Sequence, residues 1–253
     1  MSAGHITKTV PWRQRARQFV DKAVNFILPS VCVSCGQVGD LFCESCQKSL
    51  TWFSAPLCPS CGRPLPFAAA RCSWCRLESL PLDEIRAVCA FDGAAKDAIH
   101  ALKFDGMFAV AEPLAQLMAQ RFPAWSQPCD FLIPIPLHPE RVRERGYNQA
   151  NLLVRHLCRQ LDAERDEDAL WRTRPTRPQV GLDRVQRRQN VQGAFATDRQ
   201  RVAGRHILLV DDVCTSGATL SAAAKALLDE GAASVRGFCF ARPVMGRTGN
   251  QVD

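Results

Sequence analysis

No run of apolar residues in this 253-residue chain approaches the roughly 20 needed to cross a bilayer. The first residues also lack a long apolar stretch followed by a cleavage site, so secretion is not expected. Stable membrane insertion is not expected either, and the expected location is cytoplasmic. Acidic residues are in deficit: 25 Asp and Glu against 32 Lys and Arg leave a formal charge of +7. That balance permits nucleic-acid or phosphorylated partners without requiring them. The composition of a disordered chain is missing too, since 47% hydrophobic residues support a sizeable core. The length suits one α/β domain plus a smaller module.

Cysteine, by contrast, is abundant. Thirteen cysteines in a chain expected to be cytoplasmic need a reason other than disulfides, which are rare there. Eight fall in four C-x2-C pairs: Cys32/Cys35, Cys43/Cys46, Cys58/Cys61 and Cys72/Cys75. Each pair is a knuckle that can place two thiolates on one tetrahedral metal, and Gly36 and Gly62 follow the first and third pairs where a tight turn helps amides reach sulfur. Four thiolates around Zn²⁺ make a closed structural site, so the segment is expected to hold one or two zinc ions. Sequential and cross-braced pairing both fit the spacing; redox pairs and an iron–sulfur cluster are the weaker rivals. Cys89, Cys129, Cys158 and Cys239 stand singly among apolar residues and read as small core residues, and Cys214 as a small filler in a turn.

The most informative run is ILLVDDVCTSGATL at 207–220. Ile207 to Val210 is a short buried-strand signal, followed at once by the carboxylates Asp211 and Asp212. A small polar turn, Thr215-Ser216-Gly217-Ala218-Thr219, then opens an alanine-rich helix from Leu220 to Asp229. Such a turn points backbone N–H groups and the positive end of the helix dipole at one place, which makes a phosphate cradle. The acid pair beside it suits sugar hydroxyls or Mg²⁺. The run resembles the phosphoribosyl-pyrophosphate (PRPP) signature of type I phosphoribosyltransferases. In that fold the site lies at the carboxyl end of a parallel strand.

Strand and helix signals alternate through the rest of the chain. Strands are expected over Ile85–Phe91, Phe131–Ile135, Ile207–Val210 and Ser234–Phe240, and helices over Lys96–Lys103, Glu112–Arg121 and Asn148–Leu161. This predicts an α/β fold, a doubly wound and mainly parallel sheet, with a small N-terminal zinc-binding module. The expected division is a basic amphipathic helix within 1–29, a cysteine-rich module over 30–80, a transferase-like domain over 81–242 and a loose tail over 243–253. The basic helix can pack on its neighbour or lie on a membrane or nucleic acid.

Three cationic constellations accompany the signature. His138, Arg141, Arg143 and Arg145 follow the strand FLIPIP in an exit loop stiffened by Pro134, Pro136 and Pro139, ahead of Gly146-Tyr147-Asn148-Gln149. Lys103 ends a helix and can reach a phosphate as a point charge. Residues 171–190 hold six arginines, Arg187 and Arg188 among them, against one aspartate, and read as a mobile arm able to close over a polyphosphate.

Cysteine knuckles, LKF, PIPLHPERVRERGYNQA, RPTRPQVGLDRVQRRQNVQGAF and LLVDDVCTSGATL together resemble the ComF family, from residue 32 to about 241. The resemblance implies the type I phosphoribosyltransferase fold and, in some members, a link to DNA uptake and competence. Unlike in the glutamine-dependent amidophosphoribosyltransferases, no N-terminal nucleophile cysteine or glutaminase domain is expected ahead of the transferase portion. On the transferase expectation, Thr215, Ser216, Gly217, Ala218 and Thr219 bind the 5′-phosphate. Asp211 and Asp212 orient the ribose hydroxyls directly or through Mg²⁺, and His138, Arg141 and Arg145 take the pyrophosphate with Lys103, Arg187 and Arg188. The acceptor stays open. Two other classes remain: a single-stranded DNA-binding protein, with Trp52, Phe53, Trp74 or Trp171 stacking bases, and a PRPP-responsive regulator that meets competence-machinery proteins.

Overall fold

Successive residues of a strand face opposite ways, and on the central strands of this chain both faces are apolar. The computed structural model describes residues 30–68, 70–125, 129–177 and 181–244. Among the described residues six strands occur in order: β1 (Ile85–Ala90), β2 (Phe131–Pro134), β3 (Leu170–Arg172), β4 (Phe195–Thr197), β5 (His206–Val213) and β6 (Ser234–Arg242). Four form a wholly parallel sheet in the order β1-β6-β5-β2, while β3 and β4 pair as a separate antiparallel hairpin. In β5, Leu208 and Val210 join one hydrophobic cluster and Ile207 and Leu209 the other, and Phe238 and Cys239 of β6 divide the same way.

Two short helices, α1 (Glu44–Lys48) and α2 (Ser73–Leu77), belong to the cysteine-rich segment. Helices α3 (Gly93–Phe104), α4 (Ala111–Gln120), α5 (Pro139–Arg145) and α6 (Gln149–Leu161) follow, then α7 (Arg184–Val191), α8 (Arg199–Val202) and α9 (Ala218–Asp229). Residues of α3, α4 and α6 cover one face of the sheet, and those of α9 with β4 cover the other. The sheet is therefore doubly wound, as the alternation of signals predicts.

Three local expectations change. The strand predicted to stop at Val210 runs on to Val213, because Asp211 and Val213 continue the parallel pairing with Cys239 and Ala241. The loop after β2 contains a helix, α5, since His138 caps it, Pro139 occupies its first turn and Gly146 (φ 85°) closes it in the left-handed conformation. The arm over 171–190, expected to be mobile, carries regular structure at both ends: it begins in β3 and ends in α7, whose capping box joins Asp183 and Gln186. The predicted basic helix within 1–29 lies outside the described residues, as does the tail from 245.

Candidate functional site: an acid pair, a phosphate turn and two cysteine clusters

Eight sulfurs converge in two sets, Cys32/Cys35/Cys43/Cys46 and Cys58/Cys61/Cys72/Cys75, each set lying within 4.8 Å. Pairing is thus sequential, and each set holds two consecutive knuckles. Sulfur–sulfur separations are 3.7 Å for Cys32–Cys46 and 3.6 Å for both Cys35–Cys43 and Cys61–Cys72. A tetrahedron with Zn–S bonds of about 2.3 Å has edges of about 3.8 Å, so the donors fit two zinc ions. The sets are built alike: Cys43 N donates to Cys32 Sγ at 3.5 Å, and Cys72 N to Cys58 Sγ at 3.4 Å. Burial raises the Cys32 and Cys58 thiols, yet neighbouring amides outweigh it and bring each down to about 6. The first thiolate of each set is therefore available near neutral pH, and metal binding releases the remaining protons.

The acid pair stands at the carboxyl end of β5. Asp212 is 2% exposed and forms an ion pair with Lys103, near the end of α3. Gln149 Nε2, at the start of α6, donates to Asp212 Oδ1 at 3.2 Å, and Arg145 Nη1 donates to Gln149 Oε1 at 2.5 Å. Asn148 fixes the start of α6 by accepting from Ala150 N at 3.0 Å while its amide donates to the Ile135 carbonyl at 3.0 Å. Two segments distant in sequence, the end of α3 and residues 145–149, are thus drawn to one carboxylate. Burial raises Asp212, but the Lys103 ammonium and the hydrogen bonds around it win, and its carboxyl lies below the ordinary range. Asp211 goes the other way, pushed well up by burial and then by the charge of Asp212.

Beyond β5 the chain turns through Cys214 to Gly217 and enters α9. Gly217 has φ 85°, a left-handed conformation, and a Cβ there would stand 3.3 Å from Ile85 Cδ1. Ser216 Oγ accepts from Ala218 N at 3.3 Å. Among the described residues the amides of Thr215, Ser216 and Gly217 have no backbone acceptor, so they remain for a ligand. Cys214 is buried; a hydrogen bond with Cys239 and the charges of Arg242 and Arg63 bring its thiol down to about 6 against burial.

The cationic residues divide. Lys103 and Arg145 join the acid pair. Arg172 feels the charge of Asp211, which raises its pKa against a larger lowering by burial, while its Nε donates to the Pro136 carbonyl at 3.0 Å and its guanidinium lies over the Phe195 ring at 4.9 Å. The sequence offered Arg172 only as one arginine among six. His138 caps α5 through Nδ1, accepting from Glu140 N at 3.4 Å. Arg141 is exposed and pairs with Glu144 at 2.9 Å. Arg187 is buried, and Arg188 pairs with Glu78 beside a groove of about 710 Å³ that runs from Ser216 along α9. Of the proposed stacking residues, Trp52 carries Arg121 over its ring at 4.5 Å and Trp74 carries Arg184 at 4.6 Å. Phe53 is partly buried against the sheet, and Trp171 alone of the four stands exposed.

The parallel sheet, the acid pair at the end of β5 and the turn into α9 define a protein of the phosphoribosyltransferase fold with a double zinc module. The pattern "Phosphoribosyl transferase domain" matches residues 144–248, and "Double zinc ribbon domain" matches residues 23–77. The DNA utilization protein YhgH of Escherichia coli (strain K12) is 34% identical over 206 residues, 79% of this chain and 89% of its own. Competence protein F of Haemophilus influenzae is 33% identical over 208 residues, covering 79% and 90%, and Competence protein ComFC of Bacillus subtilis is 32% identical, covering 79% and 83%. This chain belongs to their family, the ComF family. Among solved structures, a glutamine PRPP amidotransferase from B. subtilis overlaps 52% of this chain and 26% of its own, at 16% identity and a TM-score of 0.36. Among the described residues no helix is long and apolar enough to cross a membrane.

Proposed function

We propose that this protein binds PRPP with Mg²⁺ and transfers its phosphoribosyl group to an acceptor, releasing pyrophosphate, as a step in DNA handling. The observation that carries this reading is the convergence of Lys103, Arg145 and Gln149 on a buried, ionised Asp212, beside a helix-opening turn with three available amides. A carboxylate pair next to a phosphate cradle matches a ligand that is anionic at one end and hydroxylated at the other. The names of the relatives, DNA utilization and competence proteins, supply the link to DNA.

The donor set fits that ligand. Thr215, Ser216 and Gly217 hold the 5′-phosphate through backbone amides, with Ala218 and Thr219 at the positive end of α9. Asp211 and Asp212 orient the ribose hydroxyls. Lys103 keeps Asp212 ionised and adds a positive charge beside the acid pair. Arg145 and Arg172, both partly dehydrated by burial, bind the leaving pyrophosphate, with His138 and Arg141 at the rim of the same loop. When bound, Mg²⁺ neutralises phosphate charge, and the carboxylates of Asp211 and Asp212 would hold it. Departure of pyrophosphate leaves positive charge on the ribose, so the residues act by positioning and leaving-group stabilisation.

Calorimetric titration of the zinc-loaded chain with PRPP, with and without Mg²⁺, tests the site. Micromolar, magnesium-dependent binding is expected; a folded sample with two zinc ions and no binding overturns the reading. DNA binding that is steeply salt-dependent and insensitive to changes at Asp211 and Asp212 would favour a nucleic-acid-binding role in its place, for which exposed Trp171 and exposed Phe67 are the stacking candidates.

A further inference from the structure

Thr215, which opens the phosphate turn, lends its carbonyl to two arginines from opposite ends of the described chain. Arg63 Nη2 donates to it at 3.2 Å and Arg242 Nη2 at 3.3 Å. Arg242 ends β6, is 1% exposed, and donates through Nη1 to the carbonyl of Cys61, a member of the second cysteine set. Arg63 follows Cys61 by two residues, and its own carbonyl closes the knuckle by accepting from Cys58 N at 2.8 Å. The knuckle is seated on the sheet. A Cβ on Gly62 would collide with the Ile85 carbonyl, and Ile85 N donates to the Ser60 carbonyl at 2.8 Å. The side chain of the same Ile85 packs against Gly217.

Chemistry and geometry agree on what this arrangement does. A guanidinium buried as deeply as that of Arg242 is costly unless opposite charge lies close by, and Arg63 beside it is half-buried. One divalent ion with four thiolates leaves about two negative charges, which suits two neighbouring cations. The carbonyl and N–H of a trans peptide point in opposite directions. Two donors fixed on the Thr215 carbonyl therefore turn the Ser216 N–H away from the arginines, toward the open side of the turn. The first cysteine set has a different anchorage: Ser34 Oγ donates to Asp97 in α3 at 2.7 Å, and Phe42 and Leu50 enter the core beside it.

We infer that Arg63 and Arg242 are positioning residues through which the second zinc site sets the geometry of the phosphate turn. Zinc at that site then acts on ligand binding as well as on the fold of its own module. The inference rests on the phosphoribosyl reading of the turn, and its test separates the two.

Arg63→Met, loaded with zinc, is compared with wild type in three measurements: zinc content, hydrogen exchange at the bonded amides of the turn, Cys214 and Ala218, and PRPP affinity by calorimetry. The expected result is two zinc ions per chain, exchange in the turn faster by about tenfold, and affinity lower by about tenfold, the size of one charge-assisted hydrogen bond. Arg63→Lys, which keeps the charge and one donor, recovers part of both losses. Wild-type exchange and affinity in Arg63→Met overturn the inference. So does loss of zinc with it, which would make Arg63 a structural residue of the module. If the methionine variant does not fold, Arg63→Lys decides on exchange: a turn as protected as wild type overturns the inference, and faster exchange with zinc retained supports it. A wild-type chain that binds no PRPP sinks the reading of the site, yet exchange in the turn needs no ligand and still decides the brace.

Discussion

Asp211 and Asp212 are neighbours in sequence and opposites in charge state. Burial, followed by the charge of Asp212, holds a proton on Asp211 to higher pH than an ordinary carboxyl, while Lys103 keeps Asp212 ionised. A cation or a ribose hydroxyl is best received by two carboxylates, so Asp211 must lose its proton on binding. Its pKa is raised, so that proton leaves more readily as pH rises. Magnesium-dependent PRPP affinity should therefore increase as rising pH ionises Asp211, read by calorimetry, and Asp211→Asn should lose that dependence; the same profile in the variant would show that Asp211 takes no part. Asp212→Asn keeps the shape and the contact with Gln149 and should leave the fold intact. It should weaken magnesium-dependent PRPP binding by about tenfold or more, and unchanged affinity would remove Asp212 from the site. The acid pair and the turn were legible in sequence because they are contiguous. The use of Lys103 was not: as a point charge it read as a phosphate ligand, and only the fold sets it against Asp212. Arg172 was hidden for a related reason, since charge composition cannot say which of six arginines turns inward.

Elements were legible where apolar periodicity carried them and lost where capping chemistry did. Helices α3, α4 and α6 and the four sheet strands follow from their apolar positions. Helix α5 was obscured by three prolines, although Pro139 at its first turn and Gly146 at its end are ordinary helix boundaries. Helix α7 was obscured by its arginines, although Asp183 and Gln186 form a capping box and Val191 is buried. The segment after α6 is an acidic turn in sequence, and in the structure it is clamped. Glu167 accepts from Asn151 at 2.7 Å and from Arg155 at 2.8 and 2.9 Å, both in α6, and from Arg165 at 2.9 Å. The Arg155 bonds, with help from Asn151 and Arg165 and against burial, lower its carboxyl to about 2. A depressed folded-state pKa contributes stability above the unfolded value of about 4.3 and loses it as pH falls toward 2. Glu167→Gln should cost about 1–2 kcal/mol at pH 7 after solvent screening and progressively less below pH 4. Urea denaturation of both proteins at pH 7 and pH 3 measures it, and an equal penalty at the two values would show that the ion pairs contribute nothing.

At the scale of the whole molecule the first cysteine set shares a buried cluster with the sheet, while the second forms a cluster of its own with Leu65, Trp74 and Leu80. Phe42, Cys43, Cys46 and Leu50 join the same buried cluster as residues of α3, α4 and α6. The chain leaving the first set then runs antiparallel to β1: Ala90 N donates to the Thr51 carbonyl at 2.8 Å, and Phe53 N to the Val88 carbonyl at 3.1 Å. This covers an edge that would otherwise offer unpaired amides. From sequence the cysteines read as a separate module, because spacing reports which sulfurs can share a metal and not what their neighbours pack on. The consequence is thermodynamic. Small cysteine-rich segments draw their folding free energy from the metal, and here that free energy also supports one face and one edge of the sheet. Stripping zinc with a chelator should therefore lower the melting temperature of the sheet together with that of the cysteine segment. Two zinc ions per chain should be released, and calorimetry should show one transition in both the loaded and stripped protein. A stripped chain whose main transition stays at the loaded temperature would mean that the sheet stands alone. The shared cluster around Phe42 would then contribute little, since losing several buried apolar side chains costs about 1.5–3 kcal/mol each.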